Sequence, residues 1–390
     1  MSSMRILIGA ETYPPTVNGA ARFAERLATG LADRGHEVHV ATPSPVGKPI
    51  VEVRDGVTVH GVKSVRYAFH PDFPVTMPWR AMPGARELVT RLRPDVVHTQ
   101  AHMVVGRGIV KAGVRAGVPV VATNHFMPEN LSAHVPLSKY VMRPGAKIAW
   151  WDLGRVFGKA DAVTAPTPRA VELLVRHAGL PDAFPVSCGI DADRYSAPAP
   201  AHDVPSVLFV GRMDQEKRVD DLLRAFAALP GGLPARLDIV GDGARLAEWT
   251  ALAASLGIAE RVTFHGFVSE EELLQAYARA DVFCMPSIAE LQSLASLEAM
   301  AASTPVLLAD AMALPHLVRP GRNGWLFPPG DIAELTQRLT TLLSDADLRA
   351  RMGAVSREIV AEHAIDATLD RFEGLYRQLI AGGEEQARAA

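Results

Sequence analysis

Short apolar runs alternate with stretches of helical period along almost the whole chain. In the first half, RILIGA, EVHVAT, DVVHT, VPVVAT and AVTAPT are bounded by turn residues and read as buried strands. The segment ARFAERLATGLADRG after the first of them carries apolar positions at helical spacing, and Gly35 is its stop signal. After Pro198 the rhythm restarts with SVLFVG, RLDIVG, RVTFHG, VFCMPS and TPVLLA, each followed by a helical stretch. This alternation predicts an α/β protein with parallel sheets flanked by helices, and two such series predict two Rossmann-like, doubly wound domains. Tyr195 to Pro205, YSAPAPAHDVP, is rich in Pro and Ala without periodicity and predicts the linker. The expected organisation is a domain over 1–197, a second over 203–370, and a helix and tail over 371–390 as a candidate to cross back to the first. Open parallel sheets bind ligands outside the carboxyl ends of their strands, so the active site is expected in a cleft between the domains.

Composition narrows the class. The 390 residues suffice for a large core without a metal or disulfide staple. An apolar content of 48% and a charged content of 21% exclude bulk disorder. Two cysteines, Cys188 and Cys284, exclude a secreted disulfide framework and predict a reducing, cytoplasmic setting. No apolar run reaches the ~18 residues of a membrane span, and the opening MSSMRILIGAETYPP reads as a first strand rather than a signal peptide. Through residue 200 there are 23 Lys and Arg against 16 Asp and Glu; beyond it the balance reverses to 17 against 27. A basic front half suits an anionic acceptor or membrane surface, and surface drift between domains explains it equally well.

Two segments carry chemistry. In MPSIAELQSLASLEAMA, 285–301, Glu290 falls in a strand-end loop and Glu298 in the following helix. Eight residues at helical rise separate them by roughly 12 Å, too far to share a proton or a metal but suited to gripping two ends of an extended ligand. The helix start between them leaves N–H groups at Gln292, Ser293 and Leu294 for an anion. A sugar hydroxyl, a phosphate and a ribose in that order describe a nucleotide-sugar; two unrelated surface carboxylates are the alternative. In FVGRMDQEKRVDDLLRAF, 209–226, the strand ends at Gly211 and is followed by Arg212 and Lys217, which suit a diphosphate or else a solvated loop.

With these segments, YPPTVNGAARFAERLATGLADRGHEVHVATP, DVVHTQ, GVPVVATNHF, SCGIDADRY, IVGDG, VTFHGFV and GRNGWLFPPGD, the chain resembles, over nearly its whole length, the retaining glycosyltransferases of the two-Rossmann (GT-B) type in the large Glu-x7-Glu family, glycosyltransferase family 4. The resemblance implies roles. Asn18 and Gly19 sit where backbone approaches donor phosphate and acceptor, and His125 lies near the transferred sugar. Arg212 and Lys217 meet the diphosphate, Glu290 the sugar hydroxyls, Glu298 the ribose, and the Val268 backbone the base. The common Phe-Gly after the first Glu is Gln292-Ser293 here, which resembles the branch that glycosylates lipids such as diacylglycerol. Ser303 stands where Gly is usual, Met312 and Ala313 where paired glycines are common, and His316 where Glu is.

Other signals are weaker. His98 and His102 are four apart, but no carboxylate or Cys follows at ligand spacing and DVVHTQ is a strand end; His98 is expected to line the acceptor side with Arg66 and Tyr67, in an aromatic-basic loop that includes Phe69, Phe73 and Trp79. The pairs Asp191–Asp193 and Asp345–Asp347 read as a turn and a helix cap. No metal and no cofactor is therefore expected. The stretch 137–160, with Lys139, Arg143, Lys147, Arg155, Lys159, Trp150 and Trp151, fits peripheral contact with an anionic membrane or plain domain surface; adjacent tryptophans cannot both face one way, so one belongs to the core. No P-loop and no nucleic-acid reader is present. The expectation is a retaining, metal-independent hexosyltransferase that uses a UDP- or GDP-linked sugar and forms an α-glycosidic bond to a lipid, sugar or natural-product acceptor. A nucleotide-sugar epimerase and a non-catalytic donor-binding protein share the fold.

Overall fold

The computed structural model describes residues 3–16, 18–67, 70–127, 139–197 and 203–389; side chains are described for all of these except 66–67, 70–73, 139–144 and 384–389. The chain forms two units, Met1–Cys188 with Asp366–Ala390, and Gly189–Ile365.

The first unit runs β1 (Arg5–Gly9), α1 (Gly19–Asp33), β2 (Glu37–Pro43), β3 (Ile50–Arg54), β4 (Val57–Val62), β5 (Ser64–Tyr67), β6 (His70–Thr76), α2 (Pro78–Leu92), β7 (Val96–Thr99), α3 (Val104–Ala116), β8 (Val120–Thr123), α4 (Lys139–Phe157), β9 (Ala162–Ala165), α5 (Pro168–Leu173) and β10 (Phe184–Pro185). Its main sheet has the order β10-β9-β8-β7-β1-β2-β4-β3, with β5 and β6 pairing apart from it. All neighbours in the main sheet are parallel except β3 and β4. The five strands expected from apolar runs are all present. The β3–β4 hairpin was not expected, because Val51 and Val53 on the edge strand face solvent and leave an alternating pattern instead of a run. Helix α1 forms because Phe23, Ala24, Leu27, Ala28 and Leu31 fall on one face and are buried; each large side chain contributes about 1.5–3 kcal/mol.

The second unit runs β11 (Ser206–Val210), α6 (Val219–Ala227), β12 (Arg236–Val240), α7 (Leu246–Ser255), β13 (Val262–Gly266), α8 (Glu270–Arg279), β14 (Val282–Met285), α9 (Leu294–Ala301), β15 (Val306–Ala309), β16 (Gly324–Phe327), α10 (Ile332–Ser344) and α11 (Ala346–Val360). Its six strands are all parallel, in the order β13-β12-β11-β14-β15-β16.

The division falls after Cys188, earlier than the proline-rich stretch. Residues just beyond it are already tied into the second unit: Ile190 N donates to His363 O at 2.8 Å, Asp193 pairs with Arg357 at 3.1 Å, and the Tyr195 ring meets Tyr277 edge-on at 5.6 Å. The stretch lacks periodicity but lies inside the second unit's sequence, and its residues 198–202 are outside the described residues. The last helix, α12 (Ile365–Ala389), belongs to the first unit from Asp366 on. Arg34 binds Asp370 at 2.6 Å and Asp366 at 3.2 Å, and Phe372 and Tyr376 are fully buried.

Candidate functional site

In the second unit the strand order reverses between β11 and β14, the place where an open parallel sheet receives its ligand. The residues singled out by sequence lie on the loops leaving those two strands. After β11 the chain turns at Gly211 against the loop that follows β12: Met213 N donates to Asp242 O at 2.9 Å, and Arg245 N to Met213 O at 2.8 Å. A Cβ on Gly241 would lie 1.9 Å from the Gly211 carbonyl oxygen, so only glycine lets these loops meet. Arg212 pairs with Asp214 at 3.0 Å and with Glu216 at 3.3 Å. A single 3-10 turn over Gln215–Lys217 then carries the chain into α6.

After β14 a loop leads to Ser293, whose Oγ accepts from Ser296 N at 3.2 Å and caps α9. The two loops are stitched together, since Ile288 N donates to Glu216 O at 3.0 Å. Across the stitch, Lys217 Nζ donates to Glu290 Oε1 at 2.5 Å; their side chains are only 14% and 11% exposed. Ala313 N, after β15, donates to the Glu290 carbonyl at 3.1 Å and fixes its backbone. Two residues assigned to different parts of a donor are therefore direct partners.

Glu298 stands inside α9 as expected, but it is buried and accepts a hydrogen bond from the Tyr277 hydroxyl at 2.8 Å. Tyr277, on α8, carried no sequence motif, and pattern reading misses its contact with Glu298. Helix α9 begins only at Leu294, so the separation estimated for a continuous helix does not apply to Glu290. Gln292 is half-buried in the loop and Leu294 is the buried first residue of α9. Val268 is half-buried just beyond β13, directly before Ser269, the cap of α8.

The first unit holds the remaining candidates. Asn18 caps α1 by accepting from Ala21 N at 2.8 Å, and Gly19 is that helix's first residue. His125 lies just beyond β8 with its ring 4.7 Å from Phe23. Burial holds its imidazole down at about 4, and Nε2 has no hydrogen-bond partner. His98 does not line an accessible surface, contrary to expectation. It is fully buried in β7, Nε2 is 2.7 Å from Thr123 Oγ1 and Nδ1 is 2.6 Å from the Tyr376 hydroxyl, so no ring nitrogen is left for an acceptor. Burial first, and His125 second, push it down to about 3. The side chains of Arg66, Tyr67 and Phe73, and residue Phe69 entirely, lie outside the described residues.

Asp193 N donates to Asp191 Oδ1 at 3.2 Å, and Asp345 caps α11 by accepting from Leu348 N at 2.8 Å. On α4, Trp150 is core while Trp151 is 58% exposed beneath the Arg155 guanidinium, 4.8 Å from the ring centre. Cys188 and Cys284 are buried thiols, both pushed up by burial, Cys188 to about 12.

Residues 17–194 match the family model described as "Glycosyltransferase Family 4", and residues 193–359 that of "Glycosyl transferases group 1". These matches make the chain a nucleotide-sugar glycosyltransferase in class. The chain is 31% identical over 391 residues to a GDP-mannose-dependent alpha-mannosyltransferase of Mycobacterium tuberculosis, covering 96% of this chain and 97% of that one. It is 33% identical over 363 residues to a D-inositol 3-phosphate glycosyltransferase of Streptomyces scabiei, covering 86% of this chain and 80% of that one. It belongs to the glycosyl transferases group 1 family. In fold it is similar to sucrose-phosphate synthase from Thermosynechococcus elongatus, with a TM-score of 0.81 at 23% identity, covering 97% of this chain and 100% of that one.

Within that family frame the departures from glycine acquire a structural meaning. Ser303 has φ +61° and Met312 has φ +51°, the left-handed backbone that glycine adopts without strain.

Proposed function

We propose that this chain transfers a hexose, mannose from a GDP-linked donor being the first candidate, to an acceptor hydroxyl with retention of anomeric configuration and without a metal ion. The observation that carries the reading is the Lys217–Glu290 pair beside the Ser293-capped start of α9, at the second unit's strand-order reversal. An ammonium has three donors, and Glu290 uses one, which leaves two for a diphosphate. Arg212 and the first amides of α9 add to that charge, which favours a departing nucleoside diphosphate. Glu290, held by Lys217 and by its own backbone, orients the sugar hydroxyls. Glu298 takes the ribose and the Val268 backbone the base. The leaving phosphate accepts the acceptor's proton on the face it vacates. The GDP-mannose preference follows from the name of the mycobacterial relative alone.

A lipid acceptor is the finer part of the reading. No helix among the described residues is long and apolar enough to cross a membrane. Exposed Ile148 and Trp151 on α4, with exposed Lys147, Arg155 and Lys159 around them, support contact with an anionic bilayer from one side.

The test is a thermal-shift panel of GDP, UDP, ADP and their hexose conjugates in excess EDTA, followed by transfer assays and anomeric NMR of the product. GDP-mannose should raise the melting temperature in EDTA, and Lys217→Ala should remove the shift. No shift with any nucleotide, or a shift only with divalent ions, overturns the donor reading. Trp151→Ala combined with Lys147→Glu should weaken binding to phosphatidylglycerol vesicles; unchanged binding removes the membrane face.

A further inference from the structure

The first unit has a strand-order reversal of its own, between β1 and β7. Gln100 stands there: it follows β7 directly, its N donates to Gly9 O at 2.8 Å, and the β7–β8 register continues it opposite Thr123. Gln100 and His102 are each 4% exposed. Both amide atoms of Gln100 and Nδ1 of His102 are buried without a hydrogen-bond partner, as is Nε2 of His125 at the end of the adjacent strand. Leaving one such atom unsatisfied costs about 1–3 kcal/mol. The four lie just past the ends of the neighbouring strands β7 and β8, at a reversal of strand order, which is where a ligand belongs.

The surroundings hold these groups still. The first turn of α3 is pressed against the loop: a Cβ on Gly106 would lie 1.8 Å from Ala101 O and 2.4 Å from Thr99 Oγ1. Glu11, at the end of β1, accepts from Val105 N at 2.7 Å and from Gly106 N at 3.1 Å. The start of α3, which would otherwise attract an anion, is thereby occupied by a carboxylate of the chain itself. Arg107, the nearest cation on α3, is paired with Asp152. What remains for a ligand is an amide and two imidazoles. Burial keeps both rings neutral, His102 being held at about 4 like His125. Each neutral ring offers one donor and one acceptor, and the amide offers both, which matches hydroxyls rather than phosphate or carboxylate.

We infer that Gln100 and His102 form a hydroxyl-reading subsite in the first unit that binds a polyhydroxylated ring of the acceptor. The inference rests on the glycosyltransferase reading above and adds to it the acceptor-side residues and the chemistry they select.

The experiment uses the full chain with GDP-mannose and four acceptor probes: octyl α-D-glucoside, octyl β-D-glucuronide, myo-inositol and myo-inositol 1-phosphate. Gln100→Met and His102→Phe remove the polar atoms while roughly keeping volume. Because they relieve unsatisfied buried groups, they should melt at or above the wild-type temperature. Each should raise the acceptor KM by about tenfold and leave the donor KM unchanged. Gln100→Asn, which stays polar but retracts the amide, should do the same and keeps the test alive if Gln100→Met misfolds. Unchanged acceptor KM in folded variants overturns the subsite while the glycosyltransferase reading stands. A wild-type chain that binds GDP-mannose but transfers to none of the four probes strikes the proposed transfer itself, and the subsite with it.

Discussion

The two strand-order reversals share a geometry and differ in chemistry. Between β11 and β14 the groups are charged and already paired, Lys217 with Glu290 and Arg212 with Asp214 and Glu216. Between β1 and β7 they are neutral, and several polar atoms have no partner. Physical cost explains the contrast. A buried charge without a counter-charge is too expensive to keep, so the second unit neutralises its own cations with carboxylates. A neutral amide or imidazole costs only about 1–3 kcal/mol when unpaired, and a well-packed fold can carry it. Charged ligand sites therefore look finished in isolation, while neutral ones look incomplete.

The largest effects should come from breaking the charged end. Lys217→Ala leaves Glu290 buried without its partner. Transfer should fall by about three orders of magnitude, and stability by about 2–3 kcal/mol, below the range for a fully buried pair because both groups retain some exposure. The double variant Lys217→Met, Glu290→Gln should recover most of the stability and none of the transfer. Denaturant titration and single-turnover assays separate the two. If the double variant transferred at the wild-type rate, the pair would be structural and the contrast between the two ends would collapse.

Much of this was legible before the structure. Every apolar run taken for a strand is one, and Glu290 in a loop with Glu298 in a helix follows from where VFCMPS ends. What sequence could not supply was partnership across distance. Lys217 and Glu290 are 73 residues apart, and Tyr277 reaches Glu298 from another helix without any motif. His98 misled for a related reason. A histidine at a strand end reads as a ligand-facing group, and only the return of α12, far along the chain, places the Tyr376 hydroxyl on its Nδ1. The boundary was misplaced because Pro and Ala mark missing periodicity, whereas the division depends on contacts such as Ile190 with His363. Gln100 gave no signal in the sequence and His102 only its spacing from His98, since an unsatisfied atom is visible only when its neighbours are known.

Acid should separate the units next. Burial depresses His60 and His102 to about 4 and His98 to about 3 in the first unit; in the second it depresses His363 to about 4 and lowers His316. A depressed histidine leaves the unfolded chain binding a proton that the fold refuses, between the ordinary value near 6.5 and the folded one. Stability is fully present above that window and is lost as pH falls through it, at up to about 1.4 kcal/mol per pH unit for each group. Glu11, raised to about 7 by burial, acts with the opposite sign between its ordinary value and neutrality, but it is one group against several. Hydrogen exchange at pH 5 should therefore show β7 and β8 losing protection before β14 and β15. Tyr376→Phe should deepen the difference, because it strands His98 Nδ1 and costs about 1–2 kcal/mol at pH 7.5. Equal protection of both units at pH 5 would show that the buried histidines do not govern acid stability.

The smallest effect concerns backbone rather than charge. Ser303, at the end of α9, keeps φ +61°, and α11 packs closely on it: a Cβ on Gly353 would lie 1.9 Å from the Ser303 carbonyl oxygen. The left-handed conformation costs a non-glycine residue about 1–2 kcal/mol, partly balanced by the greater freedom that glycine brings to the unfolded chain. Ser303→Gly should therefore raise stability by about 0.5–1 kcal/mol and leave transfer unchanged, since the residue lies at the far end of α9 from Ser293 and Glu290. Gly353→Ala, on the other side of the same contact, should destabilise by more, because a methyl group cannot occupy the space of a carbonyl. A gain in transfer from Ser303→Gly would mean that strain at this end of α9 reaches the helix start, and the charged end would then depend on the whole helix and not on its first turn alone.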